Sequence, residues 1–132
     1  MSTFGVSYLD SSAIVKLVLD EVHCRPMRDW AAGRVGATSL VGVAESVRAT
    51  RRRAPEALPD LAWAIDRVVH LPVGSDVVTL ASLLDPPALR SLDAIHLASA
   101  LALEDTLDAF VTYDRRLAAA ASAAGLPVVI PV

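Results

Sequence analysis

One stretch limits the possible architecture more than any other: Leu-Asp-Ala-Ile-His-Leu-Ala-Ser-Ala-Leu-Ala-Leu, from Leu92 to Leu103. Every position is apolar except Asp93, His96 and Ser99, so as a helix it is hydrophobic nearly all round and must be covered by neighbours. The spacing of three stacks these exceptions along one side. An ionised carboxylate inside such a helix costs several kcal/mol, on the order of the effective burial penalty of one ion, unless a cation or a set of donors meets it. Asp93 therefore needs a partner, and the simplest reading is an arginine from elsewhere or a cap role at the helix start, with Arg90 lying just before.

The rest of the chain alternates short apolar strands with helices. Phe4 to Leu9 reads as a buried strand, and Asp10-Ser11-Ser12 opens a helix carrying Ala13, Ile14, Leu17 and Val18. A second helix is expected from Val22 to Ala32, stopped by Gly33, then a strand from Arg34 to Thr38. Ser39 caps a helix to about Arg53 that carries Glu45. After Pro55 and Pro59 come a helix from Leu58 to Val69, a strand from His70 to Val73 and a helix from Asp76 to Leu84. Asp85-Pro86-Pro87 is a loop before the covered helix. A strand at Ala109 to Thr112, a helix opened by Tyr113-Asp114 and running to Ala124, and a strand at Val128 to Ile130 complete the order. Short, continuously apolar strands alternating with helices predict a three-layer α/β/α sandwich on a mostly parallel sheet. The expectation is a single domain, residues 1–132.

Composition narrows the function. With 54% hydrophobic and 5% aromatic residues, the core must be aliphatic and alanine-rich, so stacking on nucleic-acid bases is not its main device. Cys24 is the single cysteine, which excludes an internal disulfide and a cysteine-based zinc cluster and suits a small buried hydrophobe. No apolar run approaches the roughly 18 residues of a membrane span, and the N-terminus lacks a basic segment followed by an apolar one. The expectation is a cytoplasmic protein. Net charge is -3, against a protein that coats nucleic acid, but Arg48, Arg51, Arg52 and Arg53 form one basic patch.

In open parallel sheets ligands sit outside the carboxyl ends of the strands. Asp10 and Asp114 each follow a strand at that edge, Asp93 starts the covered helix, and Glu45 lies about two turns into its own helix. Each has an ordinary reading as well. Asp10 and Asp114 are good N-caps, and Glu45 can pair with Arg48. Together, however, four carboxylates in one low-dielectric pocket repel and raise one another's pKa, and a divalent cation removes that problem. An all-oxygen set suits Mg²⁺ or Mn²⁺ better than zinc. His96 is read as packed or hydrogen-bonded beside the site, and His23 and His70 carry no usable pattern. Such an ion lowers the pKa of its water and orients a phosphate, the requirements of phosphodiester hydrolysis. Arg48 to Arg53 at the rim, with Arg115 and Arg116, would meet a polyanionic substrate. A solvated helix end explains the same run equally well.

The segments Tyr-Leu-Asp10-Ser-Ser-Ala, the Glu45 helix, Leu-Asp93-Ala-Ile-His-Leu-Ala and Phe-Val-Thr-Tyr-Asp114-Arg-Arg-Leu, with Gly-Leu-Pro-Val near the end, resemble a PIN-domain ribonuclease of the VapC toxin type. The likeness covers the whole chain. It implies an Mg²⁺- or Mn²⁺-dependent endoribonuclease, the toxin of a type II toxin–antitoxin pair, silenced by a VapB-like antitoxin and acting as a homodimer. By that resemblance Asp10 and Asp93 are principal metal ligands, Asp114 a further ligand, and Glu45 a ligand or the group that positions water. Ser12 and Thr112 fall where the family uses hydroxyls to order these acids, and Arg48, Arg51, Arg52 and Arg115 would contact RNA. Two other readings stand beside it: a non-catalytic partner-binding module, and a phosphatase forming an aspartyl-phosphate on Asp10. Against the phosphatase, Ser12 stands where haloacid-dehalogenase-like enzymes carry a second aspartate.

Overall fold

The computed structural model describes residues 5–132, so Phe4, expected at the head of the first strand, lies outside the described residues. Five strands form one sheet: β1 (Val6–Leu9), β2 (Val35–Ser39), β3 (Val69–Leu71), β4 (Leu107–Val111) and β5 (Val128–Val129). All pairings are parallel and the spatial order is β3-β2-β1-β4-β5. The helices are α1 (Ser11–Lys16), α2 (Cys24–Ala31), α3 (Leu40–Arg53), α4 (Leu58–Ile65), α5 (Ser75–Leu83), α6 (Ser91–Leu101) and α7 (Arg115–Ala123).

Side chains of successive strand residues point to opposite faces, and that alternation builds the three layers. Leu9, Ala109 and Val111 face one way, onto Ala13 and Ile14 of α1, Met27 of α2 and Leu61 and Ile65 of α4. Tyr8 and Phe110 face the other, onto Leu97 and Ala100 of α6 and Leu117, Ala120 and Ala121 of α7. Alanine at the contact positions of α6 and α7 lets both helices lie close to the sheet, and fully burying a Leu there is worth about 1.5–3 kcal/mol. Truncating Leu97 to Ala would remove the transfer energy and leave a cavity, about 2–5 kcal/mol together.

The covered helix is not covered on every side. Ala94 and His96 to Ala100 are buried, but Leu92, in the first turn of α6, is 47% exposed. The helix expected from Val22 begins at Cys24, after His23 in a left-handed conformation (φ 69°). The helix expected to reach Val69 ends at Ile65, and Val69 to Leu71 pairs with β2 one residue earlier than the expected strand. Among the described residues no helix is long and apolar enough to cross a membrane.

The chain lays down β1, β2 and β3 in one direction and then returns to place β4 on the other side of β1. That reversal opens a crevice at the carboxyl ends of β1 and β4, where doubly wound sheets bind ligands.

Candidate active site

Asp10 leaves the end of β1, where its N–H donates to the Val111 carbonyl of β4 at 3.2 Å. Its side chain is the N-cap of α1: Oδ1 accepts from the Ala13 N–H at 3.0 Å and from the Ser12 hydroxyl at 2.6 Å. Oδ2 accepts from the Thr112 hydroxyl at 2.5 Å. Asp10 is only 3% exposed, and burial pushes its carboxyl above the usual range while the Ser12 and Thr112 hydroxyls pull the other way. Desolvation wins, so the carboxyl is held above its usual range in spite of these donors.

Thr112 links the first acid to the last. Its oxygen also accepts the Asp114 N–H at 3.0 Å, while the Ser12 oxygen accepts the Tyr113 N–H at 2.9 Å. Asp114 caps α7, its Oδ1 taking the N–H groups of Arg116 at 2.9 Å and Leu117 at 3.0 Å. Its Oδ2 is 3.3 Å from Nη2 of Arg90, whose Nε is 3.3 Å from Oδ2 of Asp93. Burial first, and the Asp114 charge second, hold the Asp93 carboxyl above its usual range in spite of Arg90. Glu45 reaches the cluster from α3: its Oε1 is 2.6 Å from Nε2 of His96, one turn beyond Asp93 on α6.

The acids are thus brought together as one chain of contacts: Asp10 to Asp114 through Thr112, Asp114 to Asp93 through Arg90, and Glu45 to α6 through His96. Capping and clustering are not alternatives here, because Asp10 and Asp114 do both. The ordinary reading of Glu45 fails, since it pairs with His96 instead of Arg48. The sequence missed Tyr8, whose hydroxyl touches His96, and undervalued Arg90, which serves two acids. Only the spacing Arg90–Asp93 announced the latter.

Whether these side chains suit a divalent ion follows from their oxygens. Among the described residues no three or more His, Cys, Asp or Glu groups stand as a ready-made metal cage. Mg²⁺ does not require one, because it keeps several waters and is held by one or two carboxylates together with substrate phosphate oxygens. A guanidinium already lies between Asp93 and Asp114, and burial disfavours the ionised Asp10 and Asp93, so a cation at these oxygens offsets a cost the fold imposes. The set fits such an ion.

The arginines are exposed. Arg48, Arg51 and Arg52 extend along α3 away from Glu45, Arg51 and Arg52 about 9–10 Å farther along the axis at 1.5 Å per residue. Arg53, part of the same sequence run, is paired with Glu21, which Lys16 also reaches at 3.1 Å. Arg115 and Arg116 begin α7 directly beside Asp114.

Residues 7–123 match the family described as PIN domain. The chain belongs to the PIN-domain family. Among its relatives in that family, Ribonuclease VapC47 of Mycobacterium tuberculosis (strain CDC 1551 / Oshkosh) is 39% identical over 116 residues, 83% of this chain and 85% of the relative. Ribonuclease VapC35 of Mycobacterium tuberculosis (strain ATCC 25618 / H37Rv) is 40% identical over 129 residues, 94% of this chain and 96% of the relative. The fold is shared with the VapBC2 structure from Rickettsia felis, bound to a DNA fragment from their promoter: TM-score 0.73 at 12% identity, over 96% of this chain and 99% of that one. This PIN domain is of the VapC type.

Proposed function

We propose that Asp10, Glu45, Asp93 and Asp114 form the reaction centre through which this VapC-type endoribonuclease toxin hydrolyses RNA in the cytoplasm. The observation that carries the reading is the linkage of acids from four separate segments at the β1/β4 crevice, with burial disfavouring the ionised Asp10 and Asp93. Asp10, Asp93 and Asp114 would hold Mg²⁺ or Mn²⁺. When bound, the ion lowers the pKa of a water and neutralises charge at the phosphate.

The protein's own groups set the stage. Ser12 and Thr112 aim both oxygens of Asp10 and keep it an acceptor against the cost of burial. Glu45, held through one oxygen by His96, positions the attacking water. Arg90 and Arg115 meet the phosphates of the strand, and Arg48, Arg51 and Arg52 take the flanking backbone, contacts that screen with salt. The test is cleavage of cellular RNA by purified protein with Mg²⁺ or Mn²⁺, with chelator, and for Asp10→Ala and Asp93→Asn. Cleavage abolished by chelator and both variants supports the assignment; equal cleavage in every arm overturns it.

Two surfaces suit the partners of a VapC toxin. A groove of about 630 Å³ between α2 and α4 is walled by Leu17, Val18, Trp30, Trp63 and Val68. Arg34 lies over the Trp30 ring at 4.2 Å and Arg67 over Trp63 at 3.5 Å, with Arg28 also lining the groove against the single acid Asp60. That excess of cations on apolar walls fits an apolar segment flanked by acids, which we assign to a VapB-like antitoxin. Leu80 and Leu83, three residues apart on α5, are exposed, and we assign this side of the helix to a second copy in a homodimer.

A further inference from the structure

Tyr8 is a buried polar side chain that the hydrolysis above does not use, and His96 enters it only as the group that holds Glu45. Tyr8 is fully buried in β1 and His96 is 1% exposed in α6. The Tyr8 hydroxyl lies 2.7 Å from His96 Nδ1 and accepts the Ser39 N–H at 3.2 Å. On its other side, His96 Nε2 is 2.6 Å from Oε1 of Glu45. Packing fixes both rings: Phe110 stacks on Tyr8 with centroids 5.5 Å apart and planes 4° apart, and His96 meets Tyr8 edge-on at 72°.

The donors and acceptors give this chain a direction. A backbone N–H only donates, so the Tyr8 oxygen accepts from Ser39. The shortest contact left to the hydroxyl's own proton is His96 Nδ1. Burial keeps that proton on Tyr8, pushing its pKa up to about 12. With Nδ1 accepting, the neutral imidazole carries its proton on Nε2 and donates it to Glu45. A doubly protonated ring would instead aim Nδ1–H at the Tyr8 oxygen and take away that hydroxyl's 2.7 Å acceptor in a buried place.

We propose that Tyr8 and His96 are positioning residues for Glu45: the Ser39 amide orients the Tyr8 hydroxyl, the hydroxyl selects the Nε2–H tautomer of His96, and that N–H holds Oε1 of Glu45. Among the described residues Oε2 of Glu45 makes no hydrogen bond, so one oxygen is fixed and the other is left for the reaction. The inference rests on the placing of Glu45 in the reaction centre. Side chains that orient a reacting group in this way are typically worth roughly 10- to 100-fold in activity.

The test is nitrogen NMR of the imidazoles in the full-length, metal-free protein at pH 7, joined to kcat and KM on a short RNA with Mn²⁺. The expected signature is one His96 ring protonated on Nε2 alone, shifting to mixed tautomers in Tyr8→Phe. Tyr8→Phe and His96→Ala should lower kcat at least tenfold with KM within about twofold, and His96→Gln, whose amide can still donate to Glu45, should recover most of the loss. In the His96→Gln background, Tyr8→Phe should cost nothing further. A His96 ring protonated on Nδ1 or on both nitrogens overturns the proposal, as does full activity in His96→Ala while Glu45→Gln is impaired. Full activity in Glu45→Gln with the expected tautomer present would instead remove Glu45 from the reaction centre, a failure of the other reading.

Discussion

The guanidinium of Arg90 bridges two carboxylates, its Nε 3.3 Å from Oδ2 of Asp93 and its Nη2 3.3 Å from Oδ2 of Asp114. Arg90 is mostly exposed and the charge it supplies is incomplete, since the Asp93 carboxyl still sits above its usual range. A divalent ion must compete with it for the same oxygens. An exposed ion pair is worth about 0.2–1 kcal/mol, so Arg90→Ala is expected to bind Mn²⁺ up to about fivefold more tightly. Electron paramagnetic resonance of free Mn²⁺ during titration measures this directly, and an unchanged affinity would mean that the arginine and the ion use different oxygens.

Asp10 is a site where stability and activity oppose each other. Its ionised form is disfavoured by burial, and Asn keeps an acceptor for the Ala13 N–H while shedding the charge. Asp10→Asn should abolish cleavage and melt a few degrees above the wild type in metal-free buffer at pH 7, each kcal/mol being worth roughly 3–6 °C at this size. A lower melting temperature would show that the hydroxyl contacts of Ser12 and Thr112 outweigh desolvation.

The pH dependence follows with a definite sign. Asp10 and Asp93 have folded pKa values above the ordinary carboxylate value, so between that value and the raised ones the folded state binds more protons than the unfolded one. Their contribution to stability grows as pH falls from neutral into that window and is lost as pH rises through it. Glu21, held below its usual range by Arg53, acts in the opposite sense and only at lower pH. Mn²⁺ needs ionised oxygens, so its stabilisation should be largest near neutral pH and vanish on acidification. Melting curves with and without Mn²⁺ are expected to converge as pH falls; a constant gap would place the ion elsewhere.

Gly42 allows the close approach of α3 that brings Glu45 to His96. A Cβ there would stand 2.1 Å from Thr38 Oγ1, in a fully buried side chain, and 3.3 Å from His96 Cε1. Gly42→Ala should cost about 1–3 kcal/mol by overpacking, and should lower activity further by displacing the Glu45 turn. Chemical denaturation and single-turnover cleavage separate the two effects.

Both tryptophans of the chain, Trp30 and Trp63, wall the groove between α2 and α4. Their fluorescence is therefore a direct report of that groove, expected to shift when a VapB-like antitoxin binds and to stay unchanged when RNA or Mn²⁺ is added. Trp63→Ala should weaken antitoxin binding while leaving cleavage intact. Loss of cleavage without loss of binding would reverse the assignment.

Much of this was legible in the residues because two periodicities carry it. The strands read at Phe4 to Leu9 and Ala109 to Thr112 and the capping acids that follow them announced parallel strands and helix starts, and with them the edge where Asp10 and Asp114 meet. Strand order was not legible, since hydrophobicity marks a strand but not its neighbour. The partners of Glu45 and Asp93 were equally hidden. Local spacing favoured Arg48 for the first, whereas His96, 51 positions away, is reached only when α3 and α6 pack. Leu92 misled because an apolar helix says how much of its surface wants cover, not which end receives it.

The order of the strands also bears on when such a chain becomes dangerous to the cell that makes it. Asp10 precedes its Thr112 hydroxyl partner by 102 residues, and the strand that leads to Thr112 and Asp114 pairs with β1 at the middle of the sheet. Until β4 has joined β1 there is no crevice at this edge of the sheet. A partly made chain therefore carries Asp10 without the Thr112 and Asp114 to which it is linked in the folded protein.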